Sequence, residues 1–204
     1  EKDFKTVLTF KEKVLGARHP DTLVSMNELA MFYQITARYH EAEPLLEKAL
    51  NISQQILPEN HRDTLFALSR LAILYQDQGR IQKAEELLTQ VFKLRKEVLG
   101  ELHPDTLLTA DALAQLYLMQ GRFQLASLHF EKVFQQREIT LGQSNPETLT
   151  SLNGLATSYL YLGRLKDAEI LYRKGLSLIK NTLGEAHYDT SSYLHNLAFA
   201  LTKF

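Results

Sequence analysis

The chain has 204 residues, of which 45% are apolar, with a formal net charge of −1 and no cysteine. That balance places it among soluble globular sequences rather than disordered or strongly basic ones, so nucleic acid is not an expected partner. Without cysteine there are no disulfides, thiolate metal sites or cysteine nucleophiles, which points to a reducing, cytoplasmic setting, and no apolar run approaches the ~18 residues that span a bilayer.

In chain order, residues 1–14 read as the body of a helix. Four units of 42 residues follow without insertion, at 15–56, 57–98, 99–140 and 141–182, and a half unit occupies 183–204. Each unit opens on one dipeptide: Leu15-Gly16, Leu57-Pro58, Leu99-Gly100, Leu141-Gly142 and Leu183-Gly184. A second mark keeps the same spacing at Asp21-Thr22, Asp63-Thr64, Asp105-Thr106, Glu147-Thr148 and Asp189-Thr190. Such a period marks a single array of helical repeats.

Two helices per unit follow from the apolar spacing, as in Leu65, Leu68, Leu71, Ala72 and Tyr75, then Ala84, Leu87, Leu88, Val91 and Phe92. Helix A is expected to start with His19, His103 or Asn145 at the cap and Pro20, Pro104 or Pro146 at its first position, followed by an acid near the positive end of the dipole. It should stop at the glycine of Gly79-Arg80, Gly121-Arg122 and Gly163-Arg164, with the recurring arginines Arg38, Arg80, Arg122 and Arg164 capping its last carbonyls. Helix B then runs to the next Leu-Gly pair. A turn this short makes the two helices antiparallel, and successive units stack into a solenoid. Phe4, Phe10 and Phe199 keep the core pattern at both ends, and the chain opens at Glu1 without Met, so it reads as a segment of a longer protein.

The Leu-Ala-x-x-Tyr of helix A (Leu71-Ala72 with Tyr75, Leu113-Ala114 with Tyr117), the Gly-Arg turn, and Ala42, Ala84, Ala126 and Ala168 of helix B together resemble the tetratricopeptide repeat, TPR. The unit is longer than that family's usual ~34 residues. It is similar to the kinesin light chain type of repeat. The resemblance implies an all-α, right-handed superhelical solenoid whose helices A line an inner, concave groove. It also implies a protein-interaction scaffold, with a protein or peptide ligand held in that groove.

Under that resemblance the groove positions are Asn27, Ser69, Asp111, Asn153 and His195, two before each Leu-Ala pair, and Met31, Ile73, Gln115 and Thr157, just after it. Gln76, Leu118 and Leu160 lie one turn further on, and Phe66 and Leu108 one turn back. Asn and Gln amides can pair both the N–H and the C=O of a bound backbone while apolar pockets take side chains. The resemblance implies ligand contact at the Asn positions, which only Asn27 and Asn153 keep. A family subgroup that grips a terminal carboxylate uses Lys and Arg along helix A. Arg70 is the nearest cation here, and Asp111 would repel such a ligand.

No cofactor, metal or catalytic set is expected. His19, His61, His103 and His187 recur one or more whole units apart, so neighbours are separated by about the 8–10 Å of packed helices, too far to share a zinc ion. Seven glycines fall at unit junctions or turns, which leaves no phosphate-cradling loop. Gly154 interrupts a helix A at ~1 kcal/mol relative to Ala, tolerable where a close approach requires it. Paired acids such as Glu85-Glu86 suit a helix start better than acid–base chemistry. The competing functional class is a regulatory or sensor arm acting through intramolecular contact with another domain of a longer chain, such as a nucleotide-binding or protease-like module.

Overall fold

The computed structural model describes residues 1–182 and 188–202. The described residues form α1 (Lys2–Val14), α2 (Pro20–Ile35), α3 (Tyr39–Ile56), α4 (Arg62–Asp77), α5 (Ile81–Leu99), α6 (Pro104–Met119), α7 (Phe123–Leu141), α8 (Pro146–Tyr161), α9 (Leu165–Thr182) and α10 (Tyr188–Leu201), with no strand among them. They fall into two compact units, residues 1–98 and 99–204. In the first, α2 packs on α3 and α3 on α4. In the second, α6, α7, α8, α9 and α10 pack in chain order. The even-numbered helices from α2 onward are helix A of each repeat, and the odd-numbered ones are helix B.

The start of each helix A follows from its cap. The Nδ1 of His19, His61 and His103 accepts the backbone N–H of Asp21, Asp63 and Asp105 at 3.2, 3.3 and 3.1 Å, and Asn145 Oδ1 accepts that of Glu147 at 2.9 Å. Each bond satisfies an otherwise orphaned donor of the first turn. His187, the matching position of the last half unit, lies outside the described residues. In the first two repeats the motif threonine closes the connection ahead of the helix, where buried Thr22 donates to Gly16 O at 2.8 Å and Thr64 to Pro58 O at 3.2 Å, whereas the hydroxyls of Thr106 and Thr148 are buried without a partner among the described residues.

Helix A ends as the glycines require, with φ of +74° at Gly79, +73° at Gly121 and +75° at Gly163. The first repeat places Ala37 at this point, still in the left-handed region at φ +55°. The arginine that follows caps through its main chain: the N–H of Arg38, Arg80, Arg122 and Arg164 reaches the carbonyl of Tyr33, Tyr75, Tyr117 and Tyr159 at 2.8–2.9 Å. Its guanidinium does something else. It stacks on the ring of that same tyrosine, 4.5, 4.0, 4.4 and 3.8 Å from the centroids, a cation–π contact that pairs the Arg and Tyr of every repeat.

The alanines allow close helix approach. Ala30, Ala72, Ala114 and Ala156 of helix A, and Ala42, Ala84, Ala126 and Ala168 of helix B, are all fully buried. In the first unit Leu65 and Leu68 of α4 meet Val91 of α5, with Leu50, Leu87 and Leu94 around them. In the second, Phe130 of α7 joins Ala114, Ala126 and Leu155. That ring accounts for Gly154, where an added Cβ would lie 2.5 Å from Phe130. Gly175 is matched in the same way to Tyr193 of α10.

Candidate functional site

In the first unit the exposed sides of α2 and α4 enclose a cavity of about 410 Å³. Its apolar wall is Val24, Met31 and Phe66, exposed at 47%, 41% and 48%, and its edges carry Asn27, Glu28, Arg62, Asp63 and Arg70. These three large apolar side chains face water on one wall, whereas the leucines of α2 and α4 are buried. Asn27 is nearly buried. Its Nδ2 donates to Leu23 O at 3.0 Å, and its Oδ1 has no partner among the described residues. Such an acceptor costs free energy until something donates to it.

Arg70 is held at the cavity edge by Gln34, whose Oε1 accepts from its Nη2 at 2.9 Å, while Gln34 Nε2 donates to Asp77 Oδ2 at 2.5 Å. Burial lowers the pKa of Arg70 below the usual guanidinium range, with Asp77 opposing the shift. Ser69 turns its hydroxyl onto its own helix, at 2.7 Å from Leu65 O. Ile73 and Gln76 are half-buried.

In the second unit, the same repeat positions are engaged by other helices. Asp111 Oδ1 accepts from Arg137 Nη1 at 2.9 Å and from the Ser151 hydroxyl at 2.7 Å. Arg137, 1% exposed, also donates to Glu147 O at 2.9 Å and lies 3.3 Å from Glu147 Oε2. Burial pushes the Asp111 carboxyl above the usual carboxylate range, and Arg137 and Ser151 pull against that shift. The repulsion expected of Asp111 toward a carboxylate ligand is thus corrected: its charge is already compensated from α7.

Asn153 Oδ1 accepts from Asn196 Nδ2 at 3.0 Å. Thr157 donates to Asn153 O and shares a 2.8 Å hydrogen bond with Tyr172, whose hydroxyl is pushed up to about 12 by burial. Leu160 is buried, Leu118 is half-buried, and Leu108, Gln115 and His195 are exposed. A smaller cavity of about 240 Å³ lies between α8 and α10, bordered by Leu149, Thr150, Asn153, Ser192 and Tyr193. Sequence reasoning passed over Arg137, although a signal existed. It continues the apolar stripe Phe130, Val133, Phe134 of α7 with a charged residue, as Arg95 does on α5, where α3 and α9 have Ser53 and Ile179.

Among the described residues no three His, Asp or Glu side chains gather as a metal-binding group, and no helix is long and apolar enough to cross a membrane. Models of the tetratricopeptide repeat match residues 1–55, 21–97, 63–139 and 148–189. Among solved structures, the chain is similar to the TPR-like repeats of a Podosopora anserina protein described as a kinesin light chain: 33% identity, 90% of this chain, 87% of that one, TM-score 0.80. A point variant of the same protein gives 32% identity and a TM-score of 0.81. BtubC (BKLC) from P. vanneervenii shares the fold at 19% identity and a TM-score of 0.83, over 98% of this chain and 81% of that one. Among curated proteins none matches significantly.

Proposed function

The chain belongs to the tetratricopeptide repeat family, in its kinesin light chain-like form, whose repeats mediate protein–protein interaction, and from that premise we propose that it is a non-catalytic scaffold binding a peptide or partner helix on the exposed faces of its helices A. The observation that carries this reading is the cavity between α2 and α4. It presents apolar surface from Val24, Met31 and Phe66 to solvent beside an unfilled acceptor on Asn27. An apolar ligand side chain gains by leaving water against that wall. Leu108, Gln115 and Leu118 continue the same kind of face in the second unit, and Asn153, His195, Thr157 and Leu160 border it there. A cytoplasmic adaptor role fits this chemistry, with no nucleic acid or membrane surface required.

The test is selection of peptides from a displayed random library on the whole chain, followed by calorimetry of the selected peptides against variants. Phe66→Glu and Leu118→Glu should each weaken binding about tenfold or more, equivalent to ~1.4 kcal/mol. Lys93→Ala, on the exposed side of α5, should bind as the parent does. Loss of affinity in the Lys93 variant with normal binding by the other two would move the interaction to helix B and overturn the proposal.

A further inference from the structure

The cavity between α2 and α4 carries charge of opposite sign on its two sides. Glu28 of α2 and Arg70 of α4 occupy the same position of successive repeats, just before the Leu-Ala pair, where the second unit has Ala112 and Gly154. Arg62 opens α4 where α2, α6 and α8 open on Pro20, Pro104 and Pro146. The repeat itself therefore needs no charge at either place. Glu28 and Arg62 are exposed, and their side chains make no ion pair or hydrogen bond among the described residues. Arg70 is half-buried, yet its guanidinium is held by the neutral Gln34, and Asp77, whose charge acts on it, is bound by Gln34 Nε2 instead. Asp63, the remaining charge at the edge, lies 3.8 Å from Nδ1 of its own cap, His61.

Resting on the reading of this cavity as a peptide site, we propose that its ligand is a segment of mixed charge: an apolar side chain against Val24, Met31 and Phe66, a basic residue over Glu28, and an acidic residue over Arg70 and Arg62. Helices in contact lie about 8–10 Å apart and an extended chain advances about 3.3 Å per residue, so a segment crossing from α2 to α4 sets residues about three apart over the two charged sides. The apolar anchor falls between them. Once it fills the cavity, water leaves the rim and the flanking charge pairs act in a lower dielectric than open solvent. A segment with one sign of charge throughout meets repulsion at one of the two helices, so the cavity selects against purely acidic and purely basic ligands.

Selection from a displayed random peptide library tests this, run in parallel on the whole parent chain and on Glu28→Lys, with circular dichroism as the check on folding. The parent should enrich an apolar residue flanked by one basic and one acidic residue. Glu28→Lys should exchange the basic residue for an acidic one and keep the rest. In calorimetry, glutamate in place of the basic residue of a selected peptide should weaken binding to the parent about threefold, and Glu28→Lys should restore it. Arg62→Glu, at an exposed position, should weaken binding of the original peptide by a similar factor. Selected peptides that keep their apolar residue but carry the same charges for the parent and for Glu28→Lys overturn this inference and leave the cavity reading standing. So does enrichment of acidic residues alone. Selected peptides whose binding is indifferent to Phe66→Glu, or a library that yields none, overturn both.

Discussion

The position two residues before the Leu-Ala pair bonds only within its own helix in the first unit and is engaged by neighbouring helices in the second, among the described residues. Asn27 keeps a buried, unpartnered oxygen beside an open cavity, and Ser69 bonds only its own helix. Asp111 instead holds Arg137 and Ser151, and Asn153 holds Asn196. Equivalent places in a repeat are therefore equivalent in backbone and not in purpose. The side chain's reach to a neighbouring helix decides whether the position ties the stack together or bonds only within its own helix.

The sharpest way to break that contrast is to remove the side chain in each unit. Asp111→Ala leaves the buried Arg137 guanidinium with Ser151, the Glu147 carbonyl and the half-exposed Glu147 carboxylate as its remaining partners, and should cost ~3 kcal/mol, the low end for breaking a buried pair. Asn27→Ala gives up one hydrogen bond and one unsatisfied acceptor, so its cost should stay under about 1 kcal/mol. Urea denaturation of both variants measures the difference. Equal losses would show that the two positions do the same job.

A smaller effect tests the second unit alone. His129 packs its ring 5.3 Å from Tyr117, and burial holds its pKa below the ordinary 6.5, with Lys132 adding to the shift. As pH falls, the unfolded chain takes up the proton first, so the folded state should lose stability from near the ordinary value down to the depressed one, and none of that loss should appear above neutrality. Other repeats carry Leu45, Leu87 and Leu171 here. His129→Leu should remove this acid-side drop in melting temperature and add ~1 kcal/mol through apolar burial. An unchanged pH profile would place the acid sensitivity elsewhere.

The smallest effect belongs to the first unit. Ala37 adopts φ +55° where the later repeats use glycine. Relief of its left-handed strain, less the entropy glycine loses on folding, should make Ala37→Gly stabilising by ~0.5–1 kcal/mol. A destabilised variant in calorimetric melting would mean the turn is held by something other than local backbone geometry.

Features that depend on one helix and its ends were legible in the sequence. The His and Asn caps, the glycine stops, the paired alanines and the period itself all follow from local conformation. Contacts requiring three helices were not. Periodicity puts Asp111 on a face of α6 but cannot say that Arg137 arrives from α7 and Ser151 from α8. The same holds for Arg80 and Tyr75: both recur in every repeat, and only the three-dimensional turn shows that one stacks on the other. Of the candidate site, the exposed apolar members Met31, Phe66 and Leu108 follow from the family resemblance together with the repeat spacing, whereas Arg62 and Glu28, which complete the cavity edge, carry no repeat signal and were missed.

Gly154 opposite Phe130 is an exchange of volume across a boundary between repeats: one helix gives up a side chain so that its predecessor can carry a ring. No other described repeat has this combination, since the positions of Gly154 read Glu28, Arg70, Ala112 and Asn196, and those of Phe130 read Phe4, Leu46, Leu88 and Tyr172, so that the one other phenylalanine is followed by Glu28 rather than glycine. The units are consequently not interchangeable parts. Transplanting the repeat that contains Gly154 to follow the one ending in Val98 would set glycine against Leu88 and leave a void, and giving Phe130 a neighbour with Ala112 in that place would drive a methyl group into the ring. The order in which the repeats can be joined is thus written into the sizes of their side chains.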